Sequence, residues 1–277
     1  MKRIMLIVVL MLVAFTVTPA AADFYVIAGG GRLGTAITAL PYTITDPGLY
    51  YLTRNLTSTG SAITVHANNV TIDLSGFCLT GPGKGSGFGK IGIVVAAGHT
   101  NVEIRNGSIM AFGDNGIQSQ STCNGIRVVG VRVGDTGHDG ITLPGSGNLI
   151  MDCTVMNAAD NGIHVGKSSL VKGSQVLGSG ISGIILSNGS TAVVNTVLGG
   201  LYGIFASDGT LVMDNIVSGS GNYGINVSSD CTITRNTAFN NTGTGISAGT
   251  YCTITNNTTD GLTNGTNCTL ANNTVKP

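Results

Sequence analysis

The chain has no tryptophan, few aromatics of any kind (5%) and few charges (9%), only six prolines, and no excess of charge of either sign. Each scarcity excludes something. Thirteen basic residues against thirteen acidic ones, with no basic stripe, speak against a nucleic-acid partner. The low charge does not signal disorder, because the hydrophobic share is 42% and is periodic. No segment carries the i, i+3, i+4, i+7 apolar stripe of a helix. The six cysteines show no CxxC pair and no Cys/His spacing for zinc.

What is abundant is glycine, 43 of 277 residues, and it is placed in register. Gly92-Ile93, Gly116-Ile117, Gly140-Ile141, Gly162-Ile163, Gly183-Ile184, Gly203-Ile204, Gly224-Ile225, Gly245-Ile246 and Gly261-Leu262 follow one another at steps of 24, 24, 22, 21, 20, 21, 21 and 16 residues. Such a period marks a solenoid whose units bury their apolar faces only against one another. A second column, Asn195, Asn215, Asn236, Asn257 and Asn273, stands twelve residues after the last five glycines. Around it the text alternates with period two, as in Cys231-Thr232-Ile233-Thr234, which is the pattern of a strand. The expectation is an all-β chain: a single-stranded right-handed parallel β-helix of about ten coils. Its rungs would be about 4.8 Å apart. Ile of each Gly-Ile pair and the residue two further on face the core, and the Asn column forms an amide ladder that uses left-handed turn geometry.

Three regions are expected. Residues 1–22 read as a Sec-type secretory signal: Lys2 and Arg3, an apolar run from Ile4 to Val17, then Ala20-Ala21-Ala22. The run is too short to span a membrane comfortably, so no stable membrane insertion is expected after cleavage, and the protein is placed outside the cytoplasm as secreted, periplasmic or cell-surface. Residues 23–60 have no period and are assigned as an N-terminal cap; residues 61–277 are the β-helix. No cap is legible after Asn273, so self-association through that end is expected. Export implies an oxidising compartment; Cys231, Cys252 and Cys268 form an inward column, read as stacked free thiols, with a rung-to-rung disulfide as the alternative.

Two glycine-rich stretches match phosphate-loop patterns only by letter. Gly29 to Gly34 lacks the helix and the downstream acid of a dinucleotide fingerprint, and Gly81 to Lys90 carries Lys84 and Ile91 where a phosphate loop requires other residues. The latter is read as a long exposed loop between coils.

The repeat is also a ruler. It sets Asp114, His138 and Asp160 on consecutive coils two residues before each glycine, and Asn115, Asp139 and Asn161 one residue before it. Facing out two residues after the glycine come Gln118, Thr142, His164, Ile185 and Phe205, a face polar at one end and apolar at the other. The candidate catalytic set is His138, Asp139, His164, Asp114 and Asp160, since imidazole is suited to proton transfer near neutral pH. Asp114, Asp139 and Asp160 are the candidate ligands of a calcium ion, and Arg132, Lys167 and Phe205 the candidate substrate contacts. The competing reading is that Asp and Asn before Gly are turn residues, written once per coil.

The stretch Pro41-Tyr42-Thr43-Ile44 with Asp46-Pro47-Gly48-Leu49-Tyr50-Tyr51-Leu52, then Asn69-Val70-Thr71-Ile72-Asp73-Leu74 and the Gly-Ile coils, resembles exported bacterial right-handed parallel β-helix proteins. That wider group holds pectate-lyase-like enzymes, alginate epimerases and periplasmic copper-site maturation proteins. The Asp-Pro-His stretch expected of the epimerases is absent, the order here being His138-Asp139, and no His/Met/Cys cluster supports metal maturation. Two readings follow: an enzyme, lyase or epimerase-like, acting on an acidic polysaccharide, or a non-catalytic envelope or surface protein that presents a binding face.

Overall fold

A strand of three residues cannot bury its inward side chain alone, so short period-two segments separated by turns need partners one period away along the chain. The computed structural model describes residues 34–276 and consists of 32 short strands and one 3-10 turn, Lys84–Ser86. The strands stack in three parallel ladders. The Gly-Ile ladder holds eleven, from Tyr42–Ile44, Ile63–Val65 and Ile93–Val95 to Ile246–Ala248 and Leu262–Asn264. Its register sets Ile93, Ile117, Ile141, Ile163, Ile184, Ile204, Ile225, Ile246 and Leu262 in one file, as the spacing predicts. The eight isoleucines are fully buried, each contributing roughly 1.5–3 kcal/mol by leaving water. A second ladder includes Gly48–Leu52, Leu149–Met151 and Thr191–Val193, and a third includes Leu56–Thr57, Thr154–Met156 and Thr196–Leu198. Val102–Met110 and Arg127–Gly134 run through both and pair along most of their length.

The coil turns its corners with left-handed residues. Between the second and third ladders Asn106, Gly130, Asp152, Gly173, Val194, Asp214, Arg235, Asn256 and Asn272 all have φ between 53° and 62°. The amide ladder forms as expected: Asn195, Asn215 and Asn236 each donate through backbone N and Nδ2 to Oδ1 of the next Asn, at 2.9–3.1 Å. The left-handed geometry does not fall on these asparagines, however, but on the residue before each. That residue reverses the backbone, which aims the following side chain into the core where its amide has only other amides and carbonyls to meet.

The cysteines are free. Cys231 and Cys252 are buried and continue a file of hydroxyls: Ser169 N donates to Ser190 Oγ, Thr210 Oγ1 lies 3.2 Å from Cys231 Sγ, and Cys252 N donates to Cys268 Sγ at 3.4 Å.

Stacking begins earlier than the expected boundary at residue 61. Tyr42–Ile44 pairs with Ile63–Val65, Gly48–Leu52 with Val70–Asp73, and Leu56–Thr57 with Cys78–Thr80. This coil escapes the ruler because Pro41-Tyr42 stands where later coils have Gly-Ile. The signal segment 1–22, and the residues up to 33, lie outside the described residues. At the other end the inward-facing Leu270 and Val275 of the last coil are 44% and 51% exposed.

Candidate functional site on the Gly-Ile ladder

The corner leading from the third ladder into the Gly-Ile ladder carries the acidic and histidine residues. His138 N donates to Asp114 O at 3.4 Å and Asp160 N to His138 O at 3.3 Å, so the three lie on consecutive rungs as the ruler requires. Their side chains do different things. His138 Nδ1 is 2.8 Å from Asp160 Oδ2, both side chains about one-third exposed. The carboxylate lies against the Nδ1 edge of the ring, beside a group suited to accept a proton near neutral pH. Asp114 Oδ2 is occupied elsewhere, accepting from Gly89 N at 2.8 Å.

Asp139, one residue on, turns inward. Its Oδ1 accepts from Asn161 N at 3.0 Å and Asn161 Nδ2 at 2.9 Å, while its own N donates to Asn115 Oδ1 at 2.8 Å; Ser182 N then donates to Asn161 Oδ1. This is a second side-chain ladder, and it makes Asp139 a turn residue first. Its free Oδ2 is 4.0 Å from Nδ1 of His164, an outward residue of the strand Ile163–Val165. The calcium site expected from Asp114, Asp139 and Asp160 does not assemble. The three carboxylates answer to a loop amide, a turn amide and an imidazole, and no group of three or more His, Cys, Asp or Glu is gathered as a metal site among the described residues.

Arg132 and Lys167 are not brought to this corner. Arg132 faces out in the third ladder in a file with Ser108, Thr154 and Gln175, beside a recess lined by Asn106, Gly130 and Asp152. Lys167 follows the strand Ile163–Val165 at the corner into the second ladder, where its carbonyl accepts from Gly147 N. Neither keeps a fixed offset from the file that holds His138, and the coil has three corners rather than one.

Phe205 does lie on the face, in register with Gln118, Thr142, His164 and Ile185. Two residues that the sequence reading missed stand beside it. Tyr202 meets the Phe205 ring edge-on at 5.9 Å and stacks on Tyr223 at 6.1 Å with 17° between planes. Both tyrosines immediately precede a Gly-Ile pair, so the same ruler locates them. A third omission had no periodic signal: Phe88, in the loop before Ile93–Val95, packs on the His138 ring with centroids 4.4 Å apart. The face thus runs from Asp114 and His138 through His164 to an aromatic platform.

Against known families, the model for the right handed beta helix region matches residues 55–198. The chain belongs to the right-handed β-helix family. No curated protein matches it in sequence. Among solved β-helices, the A-module of Azotobacter vinelandii mannuronan C-5 epimerase AlgE6 is similar over 88% of this chain and 89% of its own, with TM-score 0.70 and 13% identity. The A-module of AlgE4 from the same organism gives 0.57 at 15% identity over 89% and 83%. The periplasmic alginate epimerase AlgG gives 0.52 at 12% identity over 85% and 76%. At these identities the likeness is one of fold: a β-helix of this family can carry many activities, and the site must argue its own.

Proposed function

We propose that this β-helix binds a polysaccharide along the outer face of its Gly-Ile ladder, and that the polar end of that face performs proton transfer on an acidic sugar unit, as a lyase or an epimerase does. The observation that carries the reading is the His138–Asp160 pair at 2.8 Å on the same face as the Tyr202, Phe205 and Tyr223 rings. Aromatic faces hold the C–H faces of sugars, and consecutive rungs present them along the direction in which a polymer extends. His138 Nε2 takes the proton on the carbon next to the sugar carboxylate, and the Asp160 carboxylate stabilises the imidazolium that results. Return of a proton to the opposite face inverts that carbon; expulsion of the neighbouring glycosidic oxygen instead leaves an unsaturated sugar. His164, one rung beyond His138 and facing outward, is the second proton-transfer group on the face. The reading is supported by similar solved structures of a mannuronan C-5 epimerase and an alginate epimerase, whose polymers are acidic. The secretory signal read at residues 1–22 agrees with an extracytoplasmic substrate.

The test is a panel of uronic-acid polymers, followed by absorbance of unsaturated product and by NMR of the inverted carbon. Turnover that disappears in His138→Ala supports the reading. Binding without turnover, unchanged in His138→Ala, favours the second reading, a non-catalytic glycan-binding surface protein. That reading draws on Asp139, whose carboxylate serves the turn ladder.

A further inference from the structure

The segment between Cys78–Thr80 and Ile93–Val95 leaves the third ladder, doubles over the corner that holds Asp114 and His138, and returns to the Gly-Ile ladder. It is tied down at few points. Gly83 N donates to Ala111 O at 2.8 Å, Lys84 Nζ to Asn157 O at 2.7 Å, and Gly89 N to Asp114 Oδ2 at 2.8 Å, while Asp114 N donates back to Lys90 O at 3.2 Å. The coil beneath is cut to fit: a Cβ at Gly113 would overlap Ser86 Oγ, and one at Gly137 would crowd the Lys84 carbonyl. Phe88 is 77% exposed yet lies on the His138 ring. Burial does not hold a phenyl group that is mostly in water, so its place is set by the backbone next to it. Gly89 N donates to Asp114 Oδ2 and its carbonyl accepts from Ser61 Oγ, each at 2.8 Å, and the Asp114 bond ties it to the coil that leads to His138.

We infer that Asp114 is a positioning residue: through Gly89 N it holds Phe88 against His138, and the imidazole is thereby fixed between the Phe88 ring and the Asp160 carboxylate. The inference rests on His138 being the reacting group of the proposed function. It gives Asp114 a place beside the catalytic set in which the sequence put it, acting through Phe88. The role asks only for an acceptor oxygen, which an asparagine also supplies, so charge and position can be separated.

The experiment compares Asp114→Asn, Asp114→Ala and Phe88→Ala in the full chain. The ring protons of His138, assigned by their loss in His138→Ala, feel the ring current of Phe88. They are expected to move in Phe88→Ala and, by a similar amount, in Asp114→Ala, with loss of exchange protection at the Gly89 amide. In Asp114→Asn they stay near their original positions. On a uronic-acid polymer that the protein turns over, Asp114→Ala and Phe88→Ala each lower kcat about ten- to a hundredfold. The double variant falls little further, because both act through one contact, and Asp114→Asn stays close to the wild type. Two results overturn the proposal: His138 signals unmoved in Asp114→Ala, or Asp114→Asn as inactive as Asp114→Ala while its His138 signals are intact. Should Asp114→Ala fail to fold, unmoved His138 signals in the exposed Phe88→Ala variant overturn it equally. If no polymer in the panel is bound or turned over, the proposed function fails, and the resonances still decide whether Asp114 holds Phe88 against His138.

Discussion

In the coils from Asn195 to Asn273 the corner between the second and third ladders is a closed account of hydrogen bonds. Asn195, Asn215, Asn236 and Asn257 are buried, and each donates to a backbone carbonyl and to the next Asn and receives from the residue one rung before. In the coils from Asp114 to His164 the same file of the coil is held by Val131, Cys153 and Ser174, and polarity has moved to the corner beside the Gly-Ile ladder. There the carboxylates of Asp114, Asp139 and Asp160 each meet a different kind of partner, and only one ring nitrogen of His138 is in contact with Asp160. Repetition with every polar atom satisfied is architecture. Departure from the repeat, with reactive atoms left facing outward, is where chemistry can be sought. His138 and Asp139 show the difference between adjacent residues, one turned out to Asp160 and one turned in to Asn161.

The sharpest way to break the comparison is to remove one member of the amide ladder. Asn215→Leu removes the acceptor of Asn195 N, one of the two acceptors of Asn195 Nδ2, and the side-chain donor to the Ala192 and Met213 carbonyls. Buried unpaired groups cost about 1–3 kcal/mol each, so the loss in urea unfolding is expected at about 3 kcal/mol or more. His138→Ala is expected to cost less than about 1 kcal/mol, being partly exposed with a partly exposed partner. If the two variants exchange places, the division between architectural and functional polarity is wrong.

The second prediction asks whether the early part of this file is as dry as the late part. Cys153 occupies it two rungs before Asn195, and burial pushes its thiol up to about 11. A thiol that titrates near 9 when unfolded then has about a hundredfold less thiolate at pH 8 in the native state. A thiol reagent followed by mass spectrometry should modify Cys153 only under denaturing conditions; native labelling at the unfolded rate would mean that the early coils open.

The third concerns strain in the regular region. Val194 takes φ 58° and is 55% exposed, in a file where Asn106, Asn256 and Asn272 hold the same conformation. A β-branched residue in left-handed geometry is disfavoured by roughly 1–2 kcal/mol, whereas Asn adopts it readily. Val194→Asn should raise stability by about 1 kcal/mol in the same urea titration. No gain would imply that Val194 makes a compensating contact.

How far such features are legible depends on whether they recur. The Gly-Ile file is written once per coil and the Asn file once in each of the last five, so the ladders, their register and the neighbourhood of Asp114, His138 and Asp160 follow from counting. Counting failed where the coil length or its landmark changed. The coil from Tyr42 to Thr57 has no Gly-Ile pair, and the left-handed residue sits one position before the Asn that suggested it. Arg132 and Lys167 were joined to the site by charge, which carries no information about which corner a residue occupies. Phe88 sits in an aperiodic loop; its contact with His138 depends on how Gly83 to Lys90 folds back, and no spacing encodes that.

The smallest effect is expected from an ion pair that repeats nothing. Arg235 donates from Nε and Nη2 to Asp214 Oδ1 and Oδ2 at 2.7 and 2.9 Å, across successive left-handed corners of the ladder region. The guanidinium holds the Asp214 carboxyl below its ordinary value, chiefly through that hydrogen bonding. A carboxyl depressed in the folded state adds stability above its unfolded pKa and loses it as pH falls through the folded one. The pair is exposed and open to screening by salt. Asp214→Asn should therefore flatten a slight acid-side slope in thermal stability, and the difference from wild type should vanish in high salt. A loss rivalling that of Asn215→Leu would show that the outward corner residues, and not only the buried amides beside them, hold the coils in register.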